Sequence, residues 1–321
     1  MNIARLALLT AILAIFPAQA AEPTYDAAYV ARVHKQVSNW GRWGKDDQLG
    51  TLNLITPAKR VAAAMLVREG ISVSMAHPLL QEPAEDSKRP LEHEMIGLPN
   101  ASSDWAVDKI GMVFHGFGHT HMDAICHLGF QGSYYNGFPI SATTADGCAN
   151  NGVEHAAQGI FTRAILIDIP RLKGVEWLEP GTAVMPADLE AWERRTGIEV
   201  GSGDAVLVHT GRWMRRAAHG PWQGRFAGLH VTVAAWLKAR DAAIVGTDGG
   251  LDVYPSGVTG VGAPLHVLVL SALGMPALDA MDLTDVAETA ARLRRWEFLL
   301  TAAPLRIEGG TGSPMNFIAT F

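Results

Sequence analysis

An α/β fold in one domain is predicted for this chain of 321 residues, and three observations predict it. Short apolar runs, among them Arg163 to Ile169, Asp204 to His209 and Ala243 to Gly246, read as buried strands. Capped or amphipathic segments between them read as helices. The two kinds alternate without a fixed repeat, which favours a layered α/β domain over a bundle, a sandwich or a solenoid. The formal net charge is −6, and the arginines are scattered or mixed with acids, so nothing suggests a nucleic-acid partner.

Taken in order, Met1 to Arg5 is a short positive start, Leu6 to Phe16 is apolar, and Pro17-Ala18-Gln19-Ala20 ends in a small-residue cleavage pattern. This reads as residues 1–20 forming a secretory signal peptide, with cleavage expected after Ala20 and residues 21–321 forming the domain. The expected location is the periplasm or the medium. No later stretch is apolar enough to span a bilayer, so no membrane partner is expected. Tyr25 to Val37 is an amphipathic helix, and Asn39 to Pro57 a loop rich in Gly and Trp. Thr56-Pro57 is a cap followed by a first-turn proline, opening a helix over Ala58 to Arg68 that stops at Gly70. Ile71 to Met75 is a strand, and Ala76 to Asp104 is either an excursion over a site or a plain surface loop. Gln131 to Asn151, with Tyr134, Tyr135 and Asn136, reads as the rim of a pocket. Further helices are expected over Pro186 to Thr196, Val231 to Arg240, Leu265 to Leu273 and Asp282 to Trp296, and two short strands over Glu297 to Phe321.

The chemistry is concentrated in Phe114 to Phe130, FHGFGHTHMDAICHLGF, which holds His115, His119, His121 and His127 together with Asp123. Extended backbone would place His119, His121 and Asp123 on one face. Imidazoles and a carboxylate converging there are what a divalent metal requires. Apolar Met112, Val113, Phe114 and Ile125 argue that the motif lies in a packed strand and its exit. Cys126 and Cys148 could form a disulfide in an oxidising compartment, or Cys126 could be a small buried thiol beside the site. His209 and Asp248 each follow or end a strand, and each has both a site reading and a structural reading. Trp40 and Trp43 either stack on an aromatic substrate or pack the domain edge. No nucleophile elbow, P-loop or dinucleotide fingerprint is present.

These residues carry a resemblance. Thr120-His121-Met122-Asp123 with His127 four places after the aspartate is similar to the signature of the metal-dependent cyclase family, which includes bacterial kynurenine formamidase and isatin hydrolase. NWGRWGKDDQLGTLNLITP, RAILIDIP, GDAVLVHTG, PLHVLVLSALGMPALDAMDL and GTGSPMNF extend the likeness over most of the chain. The resemblance implies a swivelling β/β/α fold, a homodimer, and one or two divalent ions, zinc or manganese, per chain. It implies His121 and Asp123 as ligands, His127 as a second-metal ligand or proton carrier, and His266 and Asp279 as the later histidine and carboxylate. The family's first histidine falls at Phe117, which cannot ligate, and His115 is the candidate substitute.

The function expected is metal-activated hydrolysis of an amide or ester carbonyl, cyclic ones included, with His127 or Asp279 moving the proton. The substrate would be a small molecule, aromatic compounds among the candidates. Two alternatives stand beside it: a cyclase or lyase that stabilises an enolate, and a non-catalytic periplasmic metal-binding protein.

Overall fold

A computed structural model describes residues 24–321; the signal reading of residues 1–20 falls outside that range. The centre is a nine-stranded sheet built from β1 (Ser72–Ser74), β2 (His121–Asp123), β3 (Ile160–Asp168), β4 (Ala205–His209), β5 (Ile244–Thr247), β6 (Ala277–Asp279), β7 (Glu297–Ala302), β8 (Gly312–Pro314) and β9 (Ile318–Thr320). Their spatial order is β1-β9-β7-β3-β4-β5-β6-β2-β8. The four middle strands β3 to β6 run parallel, and the strands on either flank are antiparallel to their neighbours.

Parallel strands need cover on both faces, and their sequence shows it. Along β3, Ile165 and Ile167 enter one core while Ala164 and Leu166 enter the other; along β4, Val206 and Val208 divide from Ala205 and Leu207 in the same way. The first core is closed by helices Ala27–Val37, Pro186–Thr196 and Val233–Arg240 and by Val267–Leu273, a π-helix that continues from Pro264–His266. The second packs under helix Thr284–Leu293 and takes in Phe298, Phe317 and Phe321. Where helices begin, the sequence shows why. Asp26 accepts from the Tyr29 amide, Thr56 from the Lys59 amide ahead of Pro57, and Asp168 from the Arg171 amide.

Several expectations shift. The helix after Thr56 covers only Pro57–Ala64, and the preceding loop contains a 3-10 turn at Gly50–Leu54. Helix Arg212–His219 and β6 were not anticipated, because eight residues between Gly211 and Gly220 and a strand of three residues are too short to establish a period. The tail gives three strands rather than two. Residues 76–104 and beyond form a two-stranded ribbon, Glu92–Gly97 against Val107–Gly111, with both faces exposed. The approach to the histidine motif is therefore a ribbon exit, and Val113 is exposed rather than packed in a strand.

Candidate metal centre

Asp279, the last residue of β6, pairs in register with His121, the first of β2. Neighbours across a ladder share a face, and Asp123, two residues on, lies on that face too. All three are buried. His115 enters from the turn before β2 beside Gly312, whose missing side chain makes room: a Cβ there would stand 3.1 Å from His115 Cε1 and 2.4 Å from the Met122 carbonyl. His127 follows a turn closed by its own amide on the Ala124 carbonyl at 2.9 Å. Cys126, its neighbour, is disulfide-bonded to Cys148, which settles the open alternative in favour of the bridge. His266 comes from the short helix Pro264–His266, where Asp252 accepts from the Leu265 and His266 amides at 2.6 and 3.0 Å.

The hydrogen bonds on the outer side of this cluster fix its inner side. His121 Nδ1 donates to the His119 carbonyl at 2.7 Å, so its Nε2 presents a lone pair to Asp123 Oδ1 at 3.3 Å. His266 Nδ1 donates to Asp252 Oδ2 at 2.6 Å, and its Nε2 stands 3.2 Å from Asp279 Oδ2 and 3.6 Å from Asp123 Oδ2. His115 Nε2 is 2.9 Å from Thr311 Oγ1, while its Nδ1 lies 2.9 Å from Asp123 Oδ1. That last pair is close but misaligned: His115 Nδ1, Asp123 Oδ1 and Asp279 Oδ1 are all buried without a hydrogen-bond partner. Lone pairs facing carboxylates at these distances repel unless a cation lies among them. His115, Asp123 and His127 each offer an atom within 4.8 Å of the others, and so do His121, Asp123 and Asp279. Asp123 belongs to both sets.

Without a metal, protons take the cation's place. Burial opposes charge on His266, but Asp279 and Asp252 raise its proton affinity well above the ordinary value. Burial also opposes charge on His121, and Asp123 and Asp279 outweigh it in the same way. Asp123 is buried, which alone would raise it, yet His115 and His121 hold it well below the usual carboxylate range. His127 differs. Burial lowers it more than Asp123 raises it, so it is neutral near pH 7.

The structure thus brings together all six side chains named from the sequence: His115, His121, Asp123, His127, His266 and Asp279. His119 does not join them. It precedes the strand, and its Nε2 turns to the Arg89 carbonyl at 3.2 Å, so the one-face reading holds only for His121 and Asp123. Phe117 stacks on Phe226 at 4.0 Å and closes on Gly250, leaving His115 beside Asp123. Asp252 and Thr311 were missed. Asp252 lies 14 residues before His266 with a loop between, so no local pattern connects them. His34 is buried away from this cluster, with Nε2 3.1 Å from Ser271 Oγ.

A cyclase family model matches residues 71–251, a range that contains His115 to His127. The chain belongs to the cyclase family. A crystal structure of a novel cyclase is similar over 90% of this chain and 99% of its own, with 31% identity and a TM-score of 0.80. Isatin hydrolase A from Ralstonia solanacearum is similar over 82% of this chain and 97% of its own, with 22% identity and a TM-score of 0.56. An isatin hydrolase bound to the product analogue thioisatinate gives 20% identity and a TM-score of 0.57 over 82% of this chain and 94% of its own. These two share the fold, which is the one the resemblance implied. No curated protein matches the chain.

Proposed function

We propose that this cyclase-family chain is an exported, metal-dependent hydrolase of an amide or ester carbonyl, in the manner of an arylformamidase or a cyclic amidase. One observation carries the reading: the inward Nε2 atoms of His121 and His266, and the partnerless atoms of His115, Asp123 and Asp279, converge on one buried spot, where a divalent cation would satisfy them together. The donor set of imidazoles and carboxylates suits zinc or manganese, one ion or two. His121, Asp123 and Asp279, whose ligand atoms lie within 4.8 Å of one another, would hold one ion with His266 beside them, and His115 would join through Asp123. A divalent ion bound here supplies a Lewis acid that brings the pKa of a coordinated water to about 7 and polarises the scissile carbonyl.

The protein's own groups do the rest. Asp252 and the His119 carbonyl hold His266 and His121 in the tautomer that turns Nε2 inward. His127, its side chain 32% exposed and its ring stacked 3.9 Å from that of His115, is the cluster's most open imidazole. Being neutral, it can take a proton from the attacking water and return it to the leaving nitrogen or oxygen. Asp279 is the second candidate for that transfer.

A homodimer fits the ribbon of residues 92–111, which leaves Met95, Ile96, Trp105, Val107 and Ile110 exposed. The test of the whole reading is purified mature protein with zinc or manganese against formamides, lactams, lactones and isatin-like compounds. Metal-dependent turnover on one class is expected. Stoichiometric metal with no turnover on any carbonyl would leave a metal-binding protein instead.

A further inference from the structure

Beside His115 lies a cleft of about 190 Å³ that the proposed chemistry leaves unused. Its wall is the segment Asp86 to Arg89, seated on the bend Gly116 to His119. Gly118 makes the seat possible, since a Cβ there would meet Ser87 Oγ at 2.1 Å, whereas a Cβ on Gly116 would point into open space. The seat is also clamped from behind. Asp86, buried, accepts from Arg212 Nη2 at 2.8 Å and from Arg216 Nε and Nη2 at 2.8 and 3.0 Å.

The charge count along this wall is one-sided. Asp86 is opposed by two guanidiniums, and Arg212, although burial lowers it to about 10, remains charged at neutral pH. Lys88 and Arg89 are exposed and make no ion pair among the described residues. The one carboxylate that lines the cleft, Asp86, is thus already paired from behind, and the lining cations Lys88 and Arg89 have no carboxylate of their own among the described residues. A cleft walled by one sign of charge concentrates ligands of the other sign. It is smaller than the roughly 300–1,000 Å³ of drug-sized pockets, so it suits a short acyl arm.

We infer that this cleft selects substrates carrying a carboxylate on a short arm beside the scissile carbonyl, with Lys88 and Arg89 as the specificity-determining residues. The inference rests on the hydrolase reading, and its test separates the two. Hydrolysis of para-nitrophenyl acetate is compared with that of the para-nitrophenyl half-ester of glutaric acid, at low and high salt, using metal-loaded protein. The half-ester is expected to be preferred in kcat/KM by about tenfold or more at low salt, with the preference shrinking as salt screens the wall. In the double variant Lys88→Gln, Arg89→Gln the preference should collapse, while Lys45→Gln, an exposed lysine paired with Asp46, should keep it. Calorimetry with glutarate and metal-free protein gives a reading independent of turnover: binding to the wild type and loss in the double variant are expected. If neither ester is hydrolysed, the ester part of the hydrolase reading fails, and glutarate binding still decides the cleft. Equal, salt-insensitive rates on both esters, or a preference that survives in the double variant, overturn the inference.

Discussion

Two buried histidine–carboxylate clusters sit along the same end of the sheet, and their difference shows which one is a site. At the ends of β3 and β4, His209 lies between Asp168 and Asp248, with Nδ1 3.3 Å from Asp168 Oδ1 and Nε2 3.7 Å from Asp248 Oδ2. There every carboxylate is occupied. Asp168 accepts the Arg171 amide and its guanidinium. Asp248 accepts the amides of Thr210, Gly211 and Arg212 and the Thr210 hydroxyl. His209, its proton affinity raised by Asp168 and Asp248 against burial, supplies the matching positive charge. Two strands away, Asp123 and Asp279 keep buried oxygens with no donor at all. A cavity of about 420 Å³ opens over Asp168 and His209, larger than the one beside His115, yet none of the six candidate ligands lines it. His209 Nε2 also lacks a partner, so it is the unmet carboxylate oxygens, rather than cavity size or the presence of His and Asp, that mark the centre.

The largest expected effect is therefore at Asp123, which both candidate ligand sets share. Asp123→Ala, and likewise His121→Ala, should abolish bound metal and activity while the fold persists. Elemental analysis that finds wild-type metal in folded Asp123→Ala would remove the distinction between the clusters.

His115 and His127 stack on each other yet should separate in experiment. His115→Ala should weaken metal binding by orders of magnitude. His127→Ala should retain at least one ion per chain and lose about 10²–10⁴-fold in turnover, the span of general acid–base catalysis. Should saturating metal return His127→Ala to the full rate, the proton-carrier role is wrong.

At the other cluster the expected loss is in stability. His209→Ala removes the positive charge between Asp168 and Asp248 and should cost about 3–5 kcal/mol, the usual effect of breaking a buried pair. Denaturant unfolding measures it, and metal content per folded chain should not change. A metal-depleted but stable variant would reverse the assignment of the two clusters.

Protons and metal compete at the candidate centre, which sets the pH dependence. In the metal-free protein His121 and His266 hold protons above their ordinary value near 6.5. Their contribution to stability is complete below that value and is lost as pH rises through the raised ones. Asp123, depressed, contributes above the ordinary carboxylate value near 3.8 and loses that contribution as pH falls through its lowered one. Metal affinity should accordingly tighten as pH rises through the raised histidine values, with protons released on binding. Calorimetry in buffers of different ionisation enthalpy counts them, and zero release would show that the histidines are already neutral.

How much of this was legible in the sequence depended on separation along the chain. Three of the four parallel strands, β3, β4 and β5, were readable because burial on both faces leaves continuous apolar runs, and the helix after Thr56 because its cap is local. His115, His121, Asp123 and His127 fall in one motif, and the family resemblance added His266 and Asp279. What stayed hidden was made by tertiary approach. His119 looked like a ligand by alternation, but the backbone is not yet extended at that point, and its ring turns to Arg89. Asp248 and Asp168 look no different from ligands until the amides that surround them are seen.

Asp252 is the sharpest example, and the smallest expected effect. It touches no proposed ion position, but its Oδ2 takes the Nδ1 proton of His266 and so sets which nitrogen faces Asp279 and Asp123. In Asp252→Asn the side-chain oxygen can still accept from the Leu265 amide, while the amide nitrogen, now a donor, would face His266 Nδ1. The ring would then carry its proton on Nε2, pointing at the carboxylates, and metal could bind only after that tautomer is reversed. Loss of such an outer hydrogen bond costs about 10–100-fold in metal affinity, or about 1.4–2.8 kcal/mol. Metal titration reads the affinity, and imidazole nitrogen shifts in the NMR spectrum read the tautomer, which a merely structural role for Asp252 would leave unmoved. Wild-type affinity together with a shifted tautomer would show that His266 stands outside the ligand set, and the centre would then contract to His115, His121, Asp123, His127 and Asp279.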